Sequence, residues 1–351
     1  MKIGFLCKHN PYDRNAFSGT PFYALKALRA AKGVEVEVLG GHRPPSPLRR
    51  IAAKLRAPAA VAPEDVKTEG LDWIVTLVSS ELIEPVAARG AVPIVHVTDA
   101  TPGFLRDFYK WDVDPARDAV EGRALGAAGL AAYSSSFMAE RAAREFPEVE
   151  GKTAAIPFGV NLDDLPAAPP PKPPRSPLRL LFVGKNWERK GGAVALDAVV
   201  SLRREGIDAR LDVVGCDPEE ARAADGVEVH PFLDKNDPAD AAKLTSLFRD
   251  AHFFLLPTKA DCTPMVVAEA NAYGAPVLIT ETGGIGSLMR PGANGEMLTP
   301  GASGADYAER IKALAGDGYD GLSASSHAHF RERLNWDAWA RDLVAEMKAR
   351  A

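Results

Sequence analysis

Residues 178–192 read LRLLFVGKNWERKGG, an apolar run, then a polar loop carrying three cations, then two glycines. Leu178 to Val183 has the length and aliphatic content of a strand buried on both faces, and the residues from Gly192 to Arg204 have helical periodicity. A strand that feeds a helix through a glycine-bearing loop opens a β-α unit. The unit recurs downstream, where RLDVVG (210–215), VEVH (227–230), HFFLLP (252–257) and PVLIT (276–280) alternate with helical stretches such as Asp240 to Phe248 and Val266 to Tyr273. Upstream lies a second series: KIGFLC (2–7), VEVEVLG (34–40), DWIVTLV (72–78), VPIVHVT (92–98), LAAYSS (130–135) and TAAIP (153–157). Between the series, Pro166 to Pro177 holds seven prolines in twelve residues, which neither a sheet nor a helix interior accepts. The expectation is an α/β chain of two doubly wound, parallel-sheet, Rossmann-like domains, 1–165 and 178–334, joined by the spacer 166–177. A last helix, about 335–351, has an apolar stripe that suits either domain.

Composition narrows the function. A formal net charge of −5 argues against a general nucleic-acid binder. No stretch reaches the ~18 apolar residues of a spanning helix, and the MKIGFLCKHN start does not read as a signal peptide. Cys7, Cys216 and Cys262 are scattered, with neither disulfide nor zinc spacing, so a reduced, cytoplasmic setting is expected. The stretch holding Arg49, Arg50, Lys54 and Arg56 has no acidic residue until Glu64. It reads as a solvated helix, or as a peripheral contact with anionic lipid at the inner face of a membrane.

Three places carry chemistry. The loop from Lys8 to Gly19 closes into a helix near Thr20, where a glycine lets backbone amides approach an anion; an ordinary capped turn is the plainer reading. The loop Lys185–Gly192 gathers cations at a helix N-terminus that would repel them unless an anion sat between. In Asp261-Cys262-Thr263-Pro264-Met265, with Glu269 further on, Pro264 suits a first helical turn and Thr263 a cap. Glu269 sits among Met265, Val266, Val267, Ala268, Ala270 and Ala272, so its carboxylate needs a partner.

The order of these features resembles the retaining glycosyltransferases of the GT-B fold, family 4 (glycosyl transferases group 1). The resemblance runs through IPFGVN (156–161), LLFVGKNWERKGG (180–192), LLPTKADCTPMVVAEANAYGAPVL (255–278), GGIGSLMRPGANGEML (283–298) and the Trp-containing terminal helix. It implies two domains facing a cleft. It further implies transfer of a sugar from a nucleoside-diphosphate-sugar donor to an acceptor hydroxyl on a glycan or lipid-linked molecule, with retained anomeric configuration. By the same resemblance, Lys185 and Lys190 neutralise the donor diphosphate, Glu269 holds its ribose, and Asp261 takes the sugar hydroxyls. Amides of Gly19, Thr263 and Met265, beside Pro264, line diphosphate and sugar, and the backbone at Phe232 and Leu233 reads the base. Asp261 stands where the family usually has Glu, and Asp99 where many relatives carry His, near the transferred sugar. His96 reads as a core histidine. No clustered metal-binding site is read in the sequence, so no obligatory cofactor or metal is expected. A GT-B nucleotide-sugar epimerase and a non-catalytic nucleotide-sugar-binding protein are the alternatives.

Overall fold

The computed structural model describes residues 1–43 and 61–350. Arg49, Arg50, Lys54 and Arg56 lie outside the described residues. The chain forms two units, Met1–Asn161 with Trp336–Ala351, and Leu162–Asn335.

In the first unit six parallel strands stand in the order β2-β1-β3-β4-β5-β6: β1 (Lys2–Leu6), β2 (Glu35–Val38), β3 (Trp73–Leu77), β4 (Ile94–Thr98), β5 (Leu130–Tyr133) and β6 (Thr153–Ala155). The inner strands β3, β4 and β5 are buried along their whole length, as strands covered on both faces must be. VEVEVLG does not share that property. β2 is an edge strand whose Glu35 and Glu37 face water, and β6 is half-exposed at the other edge. Helix α1 (Thr20–Ala30) starts at Gly19, held at φ 92°, and buries Tyr23, Ala24, Leu25, Ala27 and Leu28. The crossovers that follow carry α2 (Ser80–Ala87), α3 (Pro102–Asp107), α4 (Ala116–Ala127) and α5 (Ser136–Glu145).

The second sheet has the order β12-β11-β10-β7-β8-β9, built from β7 (Leu178–Val183), β8 (Ala209–Val214), β9 (Val227–His230), β10 (Phe253–Leu256), β11 (Val277–Thr280) and β12 (Gly295–Leu298). The order reverses between β7 and β10, and ligands of open α/β sheets bind beyond the strand ends at such a point. Helices α6 (Gly192–Arg204), α7 (Glu219–Arg222), α8 (Pro238–Asp250), α9 (Met265–Ala272), α10 (Gly304–Leu314) and α11 (Tyr319–Arg333) complete this unit. The proline-rich segment is tethered here: Lys172 Nζ donates to the carbonyls of Arg249 (3.1 Å) and Ala251 (2.6 Å) at the end of α8.

The terminal helix α12 (Trp336–Ala349) belongs to the first unit, where it packs on α1. It buries Trp336, Trp339, Ala340, Leu343, Val344 and Met347, one continuous helical stripe. Its anchor is Asn161, 1% exposed. The Asn161 amide oxygen accepts from Trp336 Nε1 (3.0 Å), and its Nδ2 donates to Ser18 O (2.9 Å) and Thr20 Oγ1 (3.2 Å). One buried side chain thus ties the loop before α1 to the far end of the chain.

Candidate active site

The clearest constellation lies in the second unit, where the loops after β7 and β10 meet at the sheet's reversal point. The first loop folds on itself through Lys190 N–Asn186 O (3.0 Å) and Gly192 N–Trp187 O (2.9 Å). It then joins the second, with Lys259 N donating to Arg189 O (2.8 Å) and Arg189 Nη1 to Ala260 O (2.7 Å). Gly191 is what lets them meet. It has φ 74°, and a Cβ there would lie 1.8 Å from Pro257 O. A Cβ on Gly192 would enter the Trp187 ring at 2.0 Å, so the ring closes over the start of α6.

Across this junction Lys190 Nζ donates to Asp261 Oδ2, and Arg189 Nη1 stands 3.9 Å from the same oxygen. Asp261 is 5% exposed. Thr263 and Pro264 are buried beside it, and Met265 opens α9. The cap position falls on Pro264, extended at φ −69°, ψ 110°. Pro264 therefore precedes the first turn instead of occupying it. Thr263 lies one residue outside the cap, because the extended proline leaves helix geometry to begin at Met265. Glu269, 3% exposed on the second turn, finds its partner in Lys235, whose Nζ is 3.1 Å from Oε1. Lys185 is exposed on the first loop; Phe232 is 61% exposed after β9, and Leu233 half-buried. Thus Lys190, Asp261, Thr263, Pro264 and Met265 gather round one junction. Glu269 and Lys235 make a second ion pair, joining α9 to the segment before α8.

Two cations of this site escaped the sequence reading. Arg189 was visible among the loop's three cations, but nothing in the spacing ranked it as a junction residue. Lys235 gave no signal beyond the need of Glu269 for a partner. Elsewhere in this unit, His230 Nε2 lies 3.1 Å from Asp212 and 3.5 Å from Glu228, with Lys243 Nζ 3.6 Å from Glu228. Lys243 offsets part of the acidic charge of that cluster. A depression of about 280 Å³ lined by Gly292, Glu296 and Ser325 holds none of the site residues.

In the first unit, Gly19 ends three consecutive left-handed residues, Phe17 (φ 46°), Ser18 (φ 58°) and itself (φ 92°). Successive amides in such a turn converge on one side, and non-glycine residues held there store strain of the kind that clusters at functional sites. Asp99 follows directly after β4, half-buried. His96, two residues inside the strand end, is buried and bonded through Nε2 to Glu121 Oε1 of α4 (3.1 Å). It is a core residue, as expected, and its partner is a buried carboxylate. Burial pushes the Glu121 carboxyl up, but His96 and Ser80 pull it further down, leaving it below the ordinary carboxylate value. At the end of β1, Lys8 Nζ pairs with Glu81 (3.0 Å), and burial, reinforced by Lys8, lowers the His9 imidazole.

Residues 177–317 match the family model of glycosyl transferases group 1. A D-inositol 3-phosphate glycosyltransferase of Streptomyces bingchenggensis is 28% identical over 289 residues, covering 74% of this chain and 63% of the relative. The chain thus spans less than two thirds of that relative's length. Among solved structures, the sucrose-phosphate synthase of Thermosynechococcus elongatus aligns with a TM-score of 0.69 at 19% identity, covering 99% of this chain and 98% of the other. Anabaena HepE, in complex with UDP and glucose, aligns with a TM-score of 0.64 at 16% identity, covering 99% and 100%. These likenesses establish the fold. Among the described residues no helix is long and apolar enough to cross a membrane.

Proposed function

We propose that the chain is a glycosyltransferase of the group 1, GT-B type, and that it moves a sugar from a nucleoside-diphosphate sugar to an acceptor hydroxyl with retention of configuration. The observation that carries this reading is the junction of the β7 and β10 loops, where Lys190 and Arg189 converge on Asp261 at the reversal point of the second sheet. An anionic ligand competes with Asp261 for those cations. A diphosphate does so naturally, leaving Asp261 to accept bonds from sugar hydroxyls.

Lys190 and Lys185 then offset charge building on the leaving diphosphate, assisted by the amides of Thr263 and Met265 beside Pro264. Glu269, paired with Lys235, receives the ribose hydroxyls. The segment at Phe232 and Leu233 meets the base. To the first unit we assign Gly19, whose amide bonds a donor oxygen, and Asp99, which offsets positive charge developing at the anomeric carbon. With lysines taking the charge of the leaving group, the reaction requires no metal ion. HepE is described with UDP and glucose bound, which supports a nucleotide donor for this fold. The acceptor we assign is a glycan or a lipid-linked glycan.

The test is a thermal-shift screen against UDP, GDP and ADP and their sugars. Ligand at a hundred times its dissociation constant adds about 2.7 kcal/mol to stability. A selective rise in midpoint that vanishes in Glu269→Ala supports the donor site, and the absence of any shift refutes it. Turnover that chelator abolishes and manganese restores refutes the metal-free step.

A further inference from the structure

Two large hydrophobic side chains stand exposed among the described residues, Phe232 and Trp111. Phe232 is accounted for by the donor base; Trp111, 51% exposed, is not. Its position follows from topology. β4 ends at Thr98, on the carboxyl edge of the first sheet, and α4 must run back to the opposite edge, where β5 begins at Leu130. The excursion from Asp99 to Pro115 therefore leaves and rejoins the same edge, so Trp111 and Asp99 belong to one face of this unit.

The indole is held there by its neighbours. Trp111 N donates to Leu105 O (3.1 Å), and Val113 N to Trp111 O (3.0 Å). Lys110 adopts φ 55°, a left-handed conformation that a lysine takes only at a cost. The result sets Tyr109 against Trp111, ring centroids 4.9 Å apart and tilted by 58°. Tyr109 rests edge-on against the buried Phe104 (5.5 Å), which stacks on Phe108 (4.9 Å). An aromatic column rooted in the core thus ends in an open ring, with the exposed carboxylates Asp107, Asp112 and Asp114 close to it in sequence, Asp107 paired to Arg141 (2.6 Å).

Building on the reading of the chain as a sugar transferase, we propose that Trp111 and Tyr109 form a carbohydrate-binding platform for the acceptor. The apolar face of a pyranose ring packs on the indole, and its hydroxyls donate to the surrounding carboxylates. A lipid surface is the other natural partner of an exposed tryptophan, but with Asp107 paired to Arg141, Asp112 and Asp114 against Lys110 still leave residues 107–116 net acidic, the wrong charge for anionic headgroups.

The probe is an array carrying maltohexaose, cellohexaose, chitohexaose and mannohexaose, read with the full chain. Wild type is expected to bind at least one, with Trp111→Ala weakening it about 30-fold and Trp111→Phe much less, since an anchoring aromatic is a typical hot spot. Circular dichroism and the melting midpoint report whether each variant folds. Binding to none of the four, or equal binding by wild type and Trp111→Ala, overturns the proposal. So does a Trp111-dependent sedimentation with phosphatidylglycerol vesicles in the absence of any glycan binding. UDP, GDP and ADP shifts measured on the same wild-type sample keep a failed platform distinct from a failed donor site.

Discussion

Replacing Lys190 with Met separates two roles that one side chain holds. Lys190 and Asp261 are 13% and 7% exposed at their side chains, so the pair counts as buried. Removing one member of a buried pair costs about 3–5 kcal/mol, because the other charge is left uncompensated. Here Arg189, 3.9 Å away, retains part of the compensation, which places the expected loss near the lower bound, about 3 kcal/mol. Lys190→Met with Asp261→Asn removes both charges and is expected to recover most of that loss. Nucleotide binding behaves differently. A charge-assisted bond to phosphate contributes about 1.5–3 kcal/mol, so affinity for the diphosphate falls roughly ten- to hundred-fold in Lys190→Met and stays low in the double variant. Urea unfolding and nucleotide titration of the four proteins complete the cycle. Additive stabilities would show that the pair does not act as a unit, and recovery of nucleotide affinity in the double variant would refute the assignment of Lys190 to the phosphates.

Gly191→Ala forces a Cβ to within 1.8 Å of Pro257 O at φ 74°, and is expected to cost about 3 kcal/mol and abolish the nucleotide shift. Gly206→Ala, with φ 81° but nothing within 4 Å, should cost only about 1 kcal/mol; equal melting midpoints for the two would refute the packing argument. His96→Phe leaves Glu121 buried without its partner and should lower stability by about 3 kcal/mol in urea, whereas a change under 1 kcal/mol would make the pair dispensable. Burial lowers the Lys172 ammonium from 10.5 to about 7. Between those values the unfolded chain binds a proton that the folded chain sheds, so this group makes stability rise with pH from about 7 towards 10 and adds no slope below 7. Lys172→Met should flatten the rise, and parallel stability-pH curves for the two proteins would dispose of the idea.

What the sequence disclosed followed physical locality. Strands such as LRLLFVG and HFFLLP are continuous aliphatic runs because both of their faces are covered, and such runs can be read in isolation. β12 passed unnoticed: GEML begins with a glycine at φ 134° and has no β-branched residue. The cationic loop and the acidic pair declared themselves by residues close in sequence. Their closure did not, since Lys190–Asp261 spans 71 residues and Lys235–Glu269 spans 34. The stripe on α12 showed that the helix must pack, not where, because amphipathicity fixes a face and leaves the partner open. The edge character of β2 was likewise hidden, since VEVEVLG does not state how many neighbours the strand will have.

The bond from Trp336 to Asn161 has a bearing on how the molecule is made. A ribosome delivers the chain from its N-terminus at about 5–20 residues per second, and most domains can close as soon as they have emerged. This first unit cannot, since its last helix follows the whole second unit, which is translated in between. Until then the face of α1 that α12 covers stays open, and Asn161 lacks the indole that completes its bonds beside Ser18 and Thr20. The second unit is a continuous stretch of chain and can finish first. Maturation of the Gly19 turn thus waits for α12, and a nascent chain that stops short of α12, or a protein clipped before it, would carry a completed second unit beside an unfinished first.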